Sequence, residues 1–190
     1  MNENQMQAIL MNWAMEQKAH QFVIPNAKAL YPWEADLVSA TKSWMVHEME
    51  IKLSLADFRA DFKKKGKHGD LAHRFAHKNK PMEPKHKVQK VLFEAGWITL
   101  IPKCPNYFWY ATHGFELNVW DLPCYAGWLR IFWHERWQRY LVRVEQQAPR
   151  IHTDKMRQGD IEKVNRWLAY KLKNMYRNYY SVNGATDDAS

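Results

Sequence analysis

Two cysteines, Cys104 and Cys124, are all the thiol chemistry available in 190 residues. They fit no repeated metal-ligand spacing, which argues against a disulfide-stapled or cysteine-zinc fold and leaves both as small, buried, unbridged side chains. No apolar stretch resembles a signal peptide or reaches the length of a membrane span, so the expectation is a reduced, cytoplasmic protein with no membrane partner. A nucleotide-binding glycine loop is missing, and so is any Ser/His/Asp arrangement for acyl transfer. There is no internal repeat. What is left is a chain held together by an ordinary core, and this length suffices for one α/β domain.

Aromatic residues and positive charge are both plentiful. Ten Trp, nine Tyr and eight Phe make up 14% of the chain, beside a formal net charge of +8. Rings offer faces on which bases stack, and cations meet phosphates, so the pair suggests nucleic acid. Trp109, Tyr110, Trp128, Trp133 and Trp137 lie at strand spacing, where core packing is the commoner use. The charge is not spread evenly. Between Lys63 and Lys90, ten Lys or Arg stand against Asp70 and Glu83, an excess equal to the net charge of the whole protein. With Gly66, Gly69, Pro81 and Pro84, residues 63–90 read as a basic inserted loop, leading into a short helix over Val88–Ala95. Lys63, Lys64, Lys65, Lys67, Arg74, Lys78 and Lys80 are its candidate phosphate contacts. His73 and His77 stand at i, i+4, a zinc-clamp spacing, but nothing local completes the ligand set, and a cationic surface is the preferred reading for them and for His68.

Periodicity places the elements. Met6, Ile9, Leu10 and Trp13 predict an amphipathic helix over about 4–20. Phe22–Ile24 and Ala35–Ala40 read as strands. Trp44–Leu53 alternates strictly, with Met45, His47, Met49, Ile51 and Leu53 on one face and Trp44, Val46, Glu48, Glu50 and Lys52 on the other. Ser54 then supplies an N-cap for a helix with Leu55, Phe58 and Phe62 as its apolar stripe. Trp97–Ile101, Asn106–Thr112, Gly127–Trp133 and Tyr140–Glu145 resume the sheet, and a closing helix is predicted over about 160–179. Residues 1–182 are thus read as one domain, with 183–190 as a polar tail.

The chemistry-bearing residues lie on two of these strands. Glu50 and Lys52 share a face, and Asp36 stands fourteen residues earlier on the preceding strand, a separation suited to adjacent pairing. If Asp36 faces the same way, two carboxylates and an ammonium converge on a hard-oxygen site suited to Mg²⁺ or Mn²⁺. Such a site can activate water and neutralise charge at phosphorus. Lys52 is placed to orient or deprotonate that water.

Asp36 followed by Glu50-Ile51-Lys52 and a Ser-capped helix resembles the core of the PD-(D/E)XK nuclease superfamily. Glu34-Ala35-Asp36-Leu37-Val38, Glu50-Ile51-Lys52-Leu53-Ser54, Asp57-Phe58-Arg59-Ala60-Asp61, Pro105-Asn106-Tyr107-Phe108-Trp109-Tyr110, Tyr125-Ala126-Gly127 and Ala148-Pro149-Arg150-Ile151-His152 are similar to a phage and bacterial branch of small restriction-endonuclease-like proteins. The resemblance spans roughly residues 30–150. It implies an α/β fold: a restriction-endonuclease-like αβββαβ core with a central mixed sheet flanked by helices, to which the basic insertion and the C-terminal helix are added. It further implies Asp36, Glu50 and the Ile51 carbonyl as metal ligands, with Lys52 beside the attacking water. Glu16 would match the first-helix acid of some members, and Glu34 has the parity to join the acidic face. No proline directly precedes Asp36, the nearest being Pro32. The function so implied is Mg²⁺-dependent hydrolysis of DNA, with RNA as a further substrate. The alternative is a non-catalytic nuclease-fold protein that binds nucleic acid or a host protein, and in either case a homodimer is a possible assembly.

Overall fold

The computed structural model describes residues 1–78, 94 and 103–183. The short helix expected over Val88–Ala95 and the strand expected over Trp97–Ile101 fall outside these, Glu94 apart. Where the sequence pattern suggests one domain over 1–182, the chain divides into two compact units, Met1–Lys155 and Met156–Ser190. The second unit is built on one long helix, α4 (Gln158–Asn183), which extends beyond the expected 160–179 at both ends. Among the described residues no helix is long and apolar enough to cross a membrane.

The first unit is a six-stranded mixed sheet flanked by helices. Its elements run α1 (Glu3–Asn12), β1 (Phe22–Ala27), β2 (Ala35–Ala40), β3 (Val46–Lys52), α2 (Leu55–Asp61), α3 (Lys65–His77), β4 (Tyr107–His113), β5 (Ala126–His134) and β6 (Arg139–Gln146). The strands lie in sequence order across the sheet. β1, β2 and β3 form an antiparallel meander, β3–β4 and β4–β5 pair parallel, and β5–β6 closes as an antiparallel hairpin.

Local chemistry explains the boundaries. Asn2 caps α1 by accepting from Gln5 N, while the Gln5 side chain accepts from Asn2 N, a reciprocal capping box. The helix does not run unbroken to residue 20. It widens into a π-helical turn over Trp13–Gln17, which leaves Trp13 and Ala14 buried. Ser54 caps α2 as expected, its hydroxyl accepting from Asp57 N at 3.1 Å.

The strict alternation of β3 sorts the two sides of the core. Met49 and Ile51 face α1 and pack with Met6, Leu10, Trp13, Trp109 and Leu129. The opposite face, with Phe108, Tyr110 and Trp128, packs against Phe58 of α2 and Leu71 of α3. Gly127 lets β5 approach the chain near Ala148: a Cβ there would stand 2.6 Å from Trp109 Cε3 and 2.7 Å from Ala148 Cα. Cys104 is buried and its thiol is pushed up to about 12 by burial, whereas Cys124, expected inside, is exposed; both are free.

A histidine pair sits beneath the meander. The His20 and His47 rings are 4.8 Å apart, His20 Nδ1 bonds Ser39 Oγ at 2.8 Å, and Trp109 Nε1 donates to His47 Nδ1 at 3.1 Å. That last bond needs His47 neutral. Burial, then the neighbouring His20, lowers His47 to about 3 from 6.5; burial, then Lys18, lowers His20. Because both folded values lie below the unfolded ones, stability falls as pH drops below 6.5, and for His47 the loss runs from 6.5 towards 3. The ceiling is about 1.4 kcal/mol per pH unit for each histidine, reduced because His47 is only partly shielded. Urea midpoints from pH 7 to pH 4 should therefore fall less steeply for His47→Leu than for the native chain; parallel profiles would contradict this account.

Candidate active site

Three of the residues singled out in the sequence come together on the α2–α3 side of the sheet. Leu37 pairs with Met49, so continuing the register by one residue sets Asp36 across from Glu50. Glu50 and Lys52 are 1% and 3% exposed, and Lys52 Nζ lies 3.0 Å from Glu50 Oε1. Asp36 is half-buried, and its Oδ2 accepts from Ile51 N at 2.7 Å. The Asp36 side chain thus bonds the backbone of the Glu50-Ile51-Lys52 triplet directly.

Around these three lies a larger buried charge network. Lys67 of α3 reaches Glu48 Oε1 at 2.7 Å and Glu50 Oε2 at 2.5 Å. Lys64, just before α3, reaches Glu50 Oε1 and Asp61 Oδ1, each at 2.8 Å. Lys52 also lies 3.0 Å from Asp61 Oδ1, an oxygen with ammoniums close by but no well-directed hydrogen bond. Asp61 Oδ2 meets His68 Nε2 at 3.0 Å and accepts from Tyr110 OH at 3.1 Å, and His68 Nδ1 bonds Tyr125 OH at 2.7 Å. Trp33 Nε1 donates to both oxygens of Glu48. Three carboxylates, of Glu48, Glu50 and Asp61, therefore face three ammoniums, of Lys52, Lys64 and Lys67.

The charges respond accordingly. Burial opposes ionisation of Glu50, but Lys67 and Lys52 outweigh it and hold the carboxyl below its usual range. At Asp61, burial is likewise overcome, by the hydrogen bond from His68 and by the nearby ammoniums of Lys64 and Lys52. Glu48 goes the other way, because its burial exceeds the help from Lys67, so it is the more easily protonated of the two glutamates. Asp36 is pushed up to about 7 by burial and by the charge of Glu50, with the Ile51 N–H and Lys52 only partly compensating.

Several expected site residues stand elsewhere. Glu34 is exposed and pairs with Lys28 at 2.9 Å. Glu16 lies in a groove with Arg139 and Tyr140. The first-helix acid whose charge is felt at Asp36 is Glu3, and Gln7 Nε2 donates to the Asp36 carbonyl at 3.2 Å. The basic segment is not a loop in its first half: Lys65–His77 is helix α3. Lys67 and Arg74, expected at a phosphate-binding surface, are 4% and 2% exposed. Arg74 instead bonds the Lys78 carbonyl and pairs with Asp154. His68 is buried rather than superficial. Lys63, Lys65 and Lys78 are exposed as expected, Lys64 is exposed but ion-paired, and Lys80 lies outside the described residues. The missed residues of α3 did leave a signal: Lys67, His68, Leu71 and Arg74 recur at helical spacing as one mixed polar and apolar stripe.

Among the described residues no group of three or more His, Cys, Asp or Glu side chains is arranged to hold a metal ion. The donor set that remains is two carboxylates, Asp36 and Glu50, and the Ile51 carbonyl, which are hard-oxygen ligands of the kind Mg²⁺ or Mn²⁺ takes. Asp36 fits such an ion: it is a half-buried carboxylate with no ammonium at ion-pair distance among the described residues. Glu50 fits once Lys64 moves aside, because Lys64 and Lys52 share Oε1 while Lys67 holds Oε2. The Lys64 side chain is 53% exposed and has solvent to move into.

No family model matches the sequence, and no curated protein matches it. One solved structure is similar, described as the SPO1766 protein of unknown function from Silicibacter pomeroyi. It shares 16% identity over 88% of each chain, with a TM-score of 0.51. At that identity the likeness concerns the fold alone.

Proposed function

We propose that this chain has a restriction-endonuclease-like αβββαβ core of the PD-(D/E)XK type and hydrolyses phosphodiester bonds in DNA with Mg²⁺. The observation that carries the reading is Asp36 set across from Glu50, with Lys52 on the same face of the next strand. Asp36, Glu50 and the Ile51 carbonyl would hold the ion. When bound, it supplies a Lewis acid that makes water nucleophilic and offsets charge at phosphorus. Lys52, fixed between Glu50 and Asp61, is placed to orient the attacking water and to face the developing negative charge. Asp61, itself fixed by His68 and Tyr110, positions Lys52. Lys63, Lys65 and Lys78 are the exposed cations left to meet phosphates.

The test is cleavage of single-stranded, duplex and branched DNA and of RNA by purified protein with Mg²⁺ or Mn²⁺. Asp36→Asn preserves shape and is expected to abolish cleavage while circular dichroism and melting stay close to native. Glu50→Gln should abolish cleavage too, but with a lowered melting temperature, because it takes the counter-charge from the buried Lys52 and Lys67. An intact set of substrates under both metals would defeat the catalytic reading.

One observation favours a second reading. Both oxygens of Glu50 are held by ammoniums, so the cluster is charge-balanced without a divalent ion. A nuclease-like core in that state would bind nucleic acid or a protein partner without cutting it. Nucleic-acid binding without cleavage, unaffected by Asp36→Asn, would be its signature.

A further inference from the structure

On the other side of the sheet, a groove of about 320 Å³ opens between the π-helical turn after α1 and the β5–β6 hairpin. Trp13, Trp133 and Tyr140 line it, together with the side chains of Asn12, Glu16 and Gln17. Trp133 and Tyr140 are directly paired across the hairpin, their rings 5.0 Å apart at 69°, and both are well exposed. Arg139 lines the same groove and lies over the Trp137 ring at 5.3 Å. His134 stacks on Trp137 at 4.5 Å and 18°, and Trp137 is 55% exposed. Planar groups therefore continue from the groove along the hairpin end.

The polar groups are sorted in a way that suits one ligand. The amides of Asn12 and Gln17 and the carboxylate of Glu16 offer donors and acceptors to the edge of a planar ring, not to a phosphate. The cations stand by the rings: Lys18 over Trp13 at 5.3 Å, Arg139 over Trp137, and Arg136 on the turn between them in sequence. None of the three joins an ion pair among the described residues. π-Helical turns also recur at functional sites, because they present side chains that a regular helix would turn away.

We infer that this groove and the adjoining hairpin end bind unpaired bases of a single-stranded nucleic acid. One base enters beside Trp133, Tyr140 and the amide side chains, a neighbour stacks on Trp137 in place of Arg139, and Arg136 and the displaced Arg139 meet the phosphates between them. The inference rests on the nucleic-acid reading above and names its substrate as single-stranded, engaged through bases at a surface separate from Asp36 and Glu50.

The experiment is fluorescence anisotropy of a labelled 15-nucleotide oligo-dT in EDTA, so that no cleavage intervenes, beside an abasic strand of equal length and charge. Native protein should bind oligo-dT more tightly than the abasic strand. Trp137→Ala and Tyr140→Ala, both exposed positions whose folding is checked by melting, should each weaken oligo-dT binding roughly 5- to 100-fold. They should leave abasic binding almost unchanged. Equal affinity of native protein and both variants for oligo-dT overturns the inference and leaves the nucleic-acid reading standing. A variant that converts a native dimer to monomer at unchanged affinity also overturns it, giving the face to a second copy. If native protein binds no oligonucleotide even at low salt, the inference and the nucleic-acid reading fail together.

Discussion

Lys67→Met is expected to destabilise the protein by roughly 3–5 kcal/mol, read as a large fall in the urea midpoint. Its ammonium lies 2.7 Å from Glu48 and 2.5 Å from Glu50, with all three groups buried. Removing the cation leaves Glu50 to Lys52 and Lys64 but leaves Glu48 with only the Trp33 N–H. Burial already makes Glu48 easier to protonate, so the variant should take up a proton there, and the loss should shrink as pH is lowered. Glu48→Gln combined with Lys67→Met should recover at least about 1 kcal/mol of the loss, because no buried charge is then left unpaired at that position. Lys63→Met, on the exposed side, should change stability by less than about 0.5 kcal/mol. A Lys67→Met midpoint as close to native as that of Lys63→Met would show that Lys67 is a surface lysine after all.

Asn106→Ala is expected to cost about 3 kcal/mol or more, although the residue lies outside the charge network. Asn106 is buried at the start of β4 and ties three segments together. Its Oδ1 accepts from Val46 N at 2.7 Å, and its Nδ2 donates to the carbonyls of His152 and Asp154 at 3.0 and 2.8 Å. The backbone adds two more bonds, Asn106 N to Val46 O and Ile151 N to Asn106 O. Truncation strands one buried donor and two acceptors, each worth about 1–3 kcal/mol when left unpaired. Asn106→Asp should not rescue, because it keeps an acceptor for Val46 N but replaces the amide donor with an oxygen facing two carbonyls. A thermal melt showing Asn106→Ala within about 1 kcal/mol of native would mean that water or a local shift satisfies those groups.

The central strands were the legible part of this sequence. In β3 Met49 and Ile51 alternate with Glu48, Glu50 and Lys52, so parity alone put those three together, and the cap at Ser54 fixed where the next helix starts. α3 was illegible for a physical reason. Its buried face carries Lys67, His68 and Arg74 beside Leu71, so the charges that pair inside resemble a solvated run, and Gly66 and Gly69 lower the helix signal further. Pairing over long sequence separations, such as His68 with Tyr125 or Arg74 with Asp154, has no local signature. For Glu16 the only support was its place before the first strand, and that place does not say which first-helix acid lies near Asp36.

The order of strands also bears on how the chain folds. The β1–β2–β3 meander and the β5–β6 hairpin each close through short connections, so both can form early from local pairing. Within the sheet they are joined through the parallel β3–β4 and β4–β5 ladders, and β3 ends at Lys52 whereas β4 begins at Tyr107. Bringing those ends together costs closure entropy before any long-range contact repays it. The joining of β3 to β4, anchored by Asn106 on Val46, is therefore the natural seat of the folding barrier. Glu48, Glu50 and Lys52 stand on β3, so their transfer out of water is expected to accompany that step and the docking of Lys67.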